Sequence, residues 1–306
     1  MLIISKNYQQ NKNCHVLKIK TMNTRKILFL IACLCVSAAM HAQIRLSFNP
    51  TVGETYSYRI VSEMQTRQTI MGMEMPSNMV SEMLVEMTAT EKNNDEVRMN
   101  FSYLSSAMEV ASPMMTFRVD SEADIATLSG FEREMAELLQ TFVGQTMNIV
   151  FGTDGSVKSI FGVAIDTTNP AIAMVQSLFG EDAMMQMLKQ SFNIFPSQEV
   201  RVGDSWNNNM NMVVQGMNTS AQITYTLTSI TDNVASIDMV TTMTITGADA
   251  TITGEISGEG RGTIKLDVAT GMIISSNQEG SVSGTIQTGG MSVAMEMITR
   301  ATVTLE

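Results

Sequence analysis

Thioether sulfurs recur at alternate positions in three places in this chain: Met71, Met73 and Met75 in "MGMEMP", Met210 with Met212, and Met295 with Met297. Soft thioethers select Cu(I), so a Cu(I) or Ag(I) site built from methionine clusters is one reading of the spacing. Alternate spacing is also what one face of a β-strand imposes. A second reading takes the methionines as ordinary core residues. A third takes them as a flexible apolar surface for varied partners, the use to which unbranched, polarizable Met is suited. Residues 43–306 hold 26 Met and only 11 Leu, an inversion of normal usage. Fully burying a Met gains about 1.5–3 kcal/mol, but fixing its rotamers costs up to about 2 kcal/mol. Stability alone does not explain the preference.

Other chemistry is scarce. Cys14, Cys33, Cys35, His15 and His41 are the only cysteines and histidines, and all precede residue 42. That early segment reads as an export signal. Arg25 and Lys26 precede the apolar run Ile27–Val36, and Met40-His41-Ala42 supplies a small residue at the cut. The run is too short to span a bilayer. Met22 stands at the natural start of the signal, so residues 1–21 read as an upstream extension. Cleavage after Ala42 places the mature chain in the periplasm, the envelope or outside the cell; lipidation at Cys33 within "LIAC" is the competing expectation.

Cleavage leaves 264 residues without Cys or His. Disulfides, Cys or His metal ligands and Ser-His or Cys-His nucleophile pairs are then excluded. All 30 acids remain with 13 of the 19 Lys and Arg, a net charge of −17, which repels nucleic acid and anionic membranes. Glu82 and Glu86 project from the polar side of a strand, and Glu132, Glu134 and Glu137 surround a helix; they read as solvated surface. "GEGRG" (258–262) precedes a strand and not a helix, so it is no phosphate loop. The reading is non-catalytic, without a cofactor.

Period-two alternation carries most of the mature chain. Tyr56, Tyr58, Ile60 and Met64 share one face, as do Met79, Met83, Val85 and Met87, then Val97, Met99, Phe101 and Tyr103, then Met115, Phe117 and Val119. A helical stripe follows in 123–143 (Phe131, Met135, Leu138, Leu139, Phe142, Val143). Asp154-Gly155 turns a hairpin. A second helix over 169–192 starts at Asn169-Pro170. After Val200 the alternation resumes, with Gly254, Gly258, Gly260, Gly262, Gly280 and Gly284 on the inner faces of neighbouring strands.

"VGETY" at 52–56 returns as "VGDSW" at 202–206, each copy opening a run of strands. The pattern resembles a family of uncharacterised secreted proteins of Gram-negative bacteria in three features: two G-[DE]-[ST]-aromatic strand starts, the "GTDGSV" hairpin and a terminal D-x-x-T-G hairpin. The element order is similar to the lipoprotein-carrier half-barrels of the periplasm. That likeness implies a curved sheet with acyl chains held beneath helices, and no functional residues come with it.

The expected fold is mainly β (α+β): a strongly curved antiparallel sheet or half-barrel of ten to twelve strands with two helices on its concave face. It divides into a first sheet half (52–120), a helix-hairpin-helix insert (121–196) and a second sheet half (200–306) within one domain, 43–306. Met83, Met87, Met239, Met243 and Met295 from the sheet are expected to face Met135, Leu139, Met185 and Leu188 from the helices. Such a lining suits a lipid or acyl chain. The alternative is a structural or protein-interaction module of the envelope with a closed core and a protein partner.

Overall fold

Two consecutive residues, Phe48 and Asn49, decide how this sheet must curve. Their amides donate to the carbonyls of Thr153 and Thr270, at 2.9 and 2.8 Å, in turns that belong to strands far apart in the sheet. The computed structural model describes residues 43–162, 185, 188, 189, 192–214, 217–247 and 252–306, and Gln43–Glu306 forms one unit.

The strands of the first half are β1 (Thr55–Ile70), β2 (Met73–Lys92), β3 (Glu96–Ala111), β4 (Thr116–Asp120), β5 (Thr146–Gly152) and β6 (Val157–Phe161). Those of the second are β7 (Ser205–Val214), β8 (Met217–Thr231), β9 (Val234–Gly247), β10 (Ile252–Asp267), β11 (Ile273–Thr288) and β12 (Met291–Leu305). They form one open sheet in the order β6-β5-β3-β2-β1-β12-β11-β10-β9-β8-β7, with β4 on the upper part of β3. Every strand pair is antiparallel. The first and last strands pair along thirteen residues, Tyr58 with Leu305 through Ile70 with Val293, and this seam turns two meanders into one sheet.

β5 and β10 are six strands apart in that order, about 29 Å if the sheet were flat. Consecutive Cα atoms are only about 3.8 Å apart, so Phe48 and Asn49 can reach both turns only if the sheet rolls. Phe48 is fully buried. Its ring lies 4.7 Å from Phe151, 5.7 Å from Phe192 and 6.4 Å from Phe195. Ile44 pairs with Val200 through two 2.9 Å bonds. The alternation Ile44, Leu46, Phe48 is in the sequence, yet the predicted sheet began only at residue 52.

The repeated phrase marks equivalent structure. Gly53 N–H donates to Ala89 (2.8 Å), and Gly203 N–H donates to Leu227 (2.7 Å). Both glycines hold positive φ, 89° and 98°, where an L side chain is disfavoured. Hydroxyl pairs Thr55–Thr88 and Ser205–Thr226 stand at 2.8 Å in both copies. Thr90 and Thr228 are each the extra residue of a β-bulge, and each hydroxyl donates to the facing carbonyl, of Arg98 or Ser236. The correspondence therefore covers β1-β2-β3 and β7-β8-β9, well beyond five residues. Trp206, in the place of Tyr56, stacks on Tyr225 and donates its indole N–H to Ile194 (3.0 Å).

Three expectations need correction. Among the described residues there is one α-helix, α1 (Gly130–Phe142), preceded by a single 3₁₀ turn at Ile125–Thr127, instead of two helices. Met185, Leu188, Lys189 and Phe192 have helical backbone, but most of the predicted helix 169–192 lies outside the described residues. α1 packs on β4 and β3, with Phe131 edge-on to Phe117 at 5.0 Å, and so does not lie across the trough. Met115 belongs to the turn before β4 and is exposed. Leu104 is a bulge in β3 that shifts the alternation, so Met108 and Val110 continue the inner face.

At the inward glycines the close neighbour is the backbone of the adjacent strand. A Cβ on Gly258 would lie 1.9 Å from the Ser281 carbonyl oxygen, and one on Gly284 2.1 Å from that of Glu255. At Gly260 the closest approach is 3.2 Å. At Gly258 and Gly284 β10 and β11 approach too closely for a side chain, while the cross-strand partners Val282 and Ile256 keep theirs on the inner side. Gly258→Val should therefore destabilise by about 3 kcal/mol, the upper end of overpacking costs, and Gly260→Val by roughly 1. Thr253→Val on the exposed side should stay within about 0.5 kcal/mol. Phe48→Ala should cost about 3–5 kcal/mol. Thermal and denaturant unfolding of the four variants checks this order.

Candidate functional site

The concave face carries two apolar clusters. The main one surrounds Phe48 and includes Tyr58, Val85, Met87, Met99, Leu227 and Leu266. The second lies toward the opposite end, where Ile256, Val282, Ile286 and Val293 are buried and Ile70, Met217, Met243, Met295 and Met297 are half-buried. Between them the inner row reads Thr299, Gly280, Gly260 and Thr241, one residue from each of β12, β11, β10 and β9.

The nine residues expected to share one lining divide into three groups. Met87, Leu188 and Met239 are buried in the main cluster, with Met83 and Met185 packed against it. Met243 and Met295 belong to the second cluster. Met135 and Leu139, on α1, are half-buried beside β3 and β4. A cavity of about 200 Å³ opens between the clusters, walled by Met239, Met243, Val282 and Met297 and floored by Gly260 and Gly280. Met297 was missed, although its place in the alternation of β12 put it beside Met295.

The convex face is built differently. Arg67–Glu296 (3.4 Å), Arg300–Glu63 (3.8 Å), Arg261–Glu279 (2.6 Å) and Arg118–Glu109 (3.5 Å) are directly opposed cross-strand pairs. Arg59 joins Glu82 and Glu306. Each pair is half-exposed and contributes little to stability, but together they mark a wet surface. A membrane-spanning barrel presents an apolar band outward; this sheet presents charge.

Titratable groups follow the fold. Burial pushes the Tyr58 phenol far up, and those of Tyr103 and Tyr225 up to about 12. The Asp154 and Asp267 carboxylates lie below the ordinary value of 3.8. Partial burial raises both, but hydrogen bonds outweigh it: Ser156 hydroxyl and amide to Asp154, and Thr270 hydroxyl and amide, with Asn233, to Asp267. These carboxylates brace turns. Among the described residues no group of three or more His, Cys, Asp or Glu is placed to hold a metal ion. Met71 and Met73 of the thioether series are exposed, and Met212 has no described side chain.

Fold and site together define an open, rolled antiparallel sheet with a wet convex face and an apolar concave one. The chain belongs to the DUF6263 family, a family of unknown function, which it matches over residues 94–273. None of the curated proteins matches it in sequence. Among solved structures it is similar to lipovitellin, in a study of that protein's lipid–protein interactions (12% identity, TM-score 0.46), over 84% of this chain and 25% of that one. The chain thus spans about a quarter of the lipovitellin chain. It is also similar to Pseudomonas aeruginosa OpdQ (4% identity, TM-score 0.25, 83% of this chain and 100% of that one). A third likeness is to an outer membrane channel of Pseudomonas putida F1 (6%, 0.23, 84% and 96%). All three are too distant to bear on function.

The turn carboxylates give a pH dependence of known sign. A depressed carboxylate contributes stability above its unfolded pKa and loses it as pH falls through the folded value. The melting temperature should therefore drop below about pH 4. Asp154→Asn with Asp267→Asn should flatten that acid limb while lowering stability at pH 7. An acid limb of unchanged steepness would remove both residues from the account.

Proposed function

We propose that the mature chain is a non-catalytic envelope protein that holds an apolar, chain-like molecule against its concave face. The cavity over Gly260 and Gly280 supports this most directly, since Met239, Met243, Met297, Val282 and Ala301 line it, alongside the polar Thr241, Gln278, Ser281 and Thr299 and the strand positions Glu259 and Glu279. At about 200 Å³ it is smaller than pockets for drug-sized ligands, roughly 300–1,000 Å³, and it suits one acyl segment. Methionine rotamers let such a wall widen at small cost. The half-buried methionines around the second cluster offer the chain a continuation toward the sheet's far end.

The packed cluster around Phe48 favours a second reading, a structural or protein-interaction module whose core needs no guest. The two readings differ in solution behaviour. Delipidated protein should bind a fluorescent fatty-acid analogue, and Met243→Trp with Met297→Trp should fill the cavity and weaken binding at least tenfold while the melting temperature holds. Protein from its native envelope should carry a lipid adduct in native mass spectrometry. Adduct-free protein that also ignores the probe would leave the structural module. Intact mass should place Gln43 first, without a fatty acid.

A further inference from the structure

The hairpin β1–β2 turns through Met71-Gly72, both at positive φ (52° and 82°). Two other hairpins use the same kind of backbone with the residues it favours: Asp232-Asn233 between β8 and β9 (50° and 65°), and Gly289-Gly290 between β11 and β12 (57° and 77°). Methionine has neither the missing Cβ of Gly nor the short polar side chain that lets Asn and Asp occupy this region. Met71 is therefore conformationally disfavoured where it stands. Nor does packing hold it there, since it is 80% exposed.

Neighbours share the anomaly. Met73 is 66% exposed and Met291 44%. β1 and β12 pair up to Ile70 with Val293, so the two hairpin tips stand side by side. Ile70 and Val293 belong to the second concave cluster, and the tips carry its apolar lining out to solvent. Residues 68–73 and 286–293 contain no charged side chain, in a mature chain of net charge −17.

We infer that these paired tips dock on a lipid bilayer surface by inserting Met71, Met73 and Met291 between uncharged or zwitterionic headgroups. Protruding single side chains fit this occupant better than a protein: a stable protein interface buries about 800 Å² on each partner, and three methionines on two narrow hairpins fall well short. Without a cation at the tips and with a strongly acidic chain behind them, the contact is apolar, insensitive to salt and weaker on anionic membranes. It stands apart from the ligand reading, because it concerns hairpin tips at one end of the central strands and not the cavity.

The test is sedimentation of the full mature chain with phosphatidylcholine vesicles, with and without phosphatidylglycerol. Wild type should pellet with phosphatidylcholine, equally at low and high salt, and less with the anionic lipid. Met71→Asn/Met73→Ser/Met291→Ser should bind at least tenfold more weakly. Met71→Asn alone should melt at or above the wild-type temperature, because Asn suits the turn, and still bind less well; its loss of binding then has no folding explanation. Val52→Ser with Val202→Ser, exposed apolar residues at the opposite ends of β1 and β7, about 50 Å away along a sixteen-residue strand, should change nothing. Wild type left in the supernatant, equal pelleting of the tip variant, equal loss in the Val52/Val202 control, or tighter binding to anionic vesicles would each overturn the inference. So would tip-dependent dimerisation in equilibrium sedimentation, which would make the occupant a second copy. Fatty-acid probe binding in vesicle-free solution is measured separately, so either idea can fail without the other.

Discussion

The curvature of this protein depends on the amides of Phe48 and Asn49, which bond to turns six strands apart. An open antiparallel sheet twists but has no intrinsic reason to bring distant strands together. Here the short segment before β1 supplies that reason with hydrogen bonds and a buried phenylalanine cluster. Once that end is drawn in, Tyr58, Met99, Leu227 and Leu266 share one core. The opposite end has no such clasp among the described residues, and its smaller cluster has four buried residues ringed by half-buried ones. The asymmetry between a packed end and an open end follows from one segment.

Glycine and methionine have complementary parts in this curvature. Where β10 and β11 curl tightly, any Cβ at Gly258 or Gly284 would enter the neighbouring backbone, so glycine is imposed by the strands themselves. A floor without side chains leaves space above it, and methionines from β9 and β12 wall that space. Long flexible side chains tolerate an imperfectly filled hollow better than Leu or Ile would. The unusual composition thus has a geometric basis before any ligand is considered. The proposed use of the hollow builds on that basis.

Charge is distributed with equal economy. Five arginines of the convex face pair with glutamates on neighbouring strands, so the outer surface carries charge of both signs in close pairs. The concave lining and the β1–β2 and β11–β12 tips are left nearly free of charge.

The sequence by itself determined most of the strands and the side most of their residues face, because period two follows from backbone geometry wherever no bulge interrupts it. Tyr56 with Tyr58, the inward glycines and the Asp154-Gly155 turn were legible for that reason. So was the repeat, since a glycine in each copy suits the positive φ that Gly53 and Gly203 both adopt. Local spacing could not say which strands meet. The β1–β12 seam joins the first strand to the last, and the bulge at Leu104 changes faces without a sequence marker. The site was legible only in kind: methionine-lined and concave. Which methionines share a space depended on the roll of the sheet, and that roll separated Met135 and Leu139 from Met243 and brought in Met297. Only the tertiary structure decided this, because a cavity belongs to distances between strands and not to the order of residues along one.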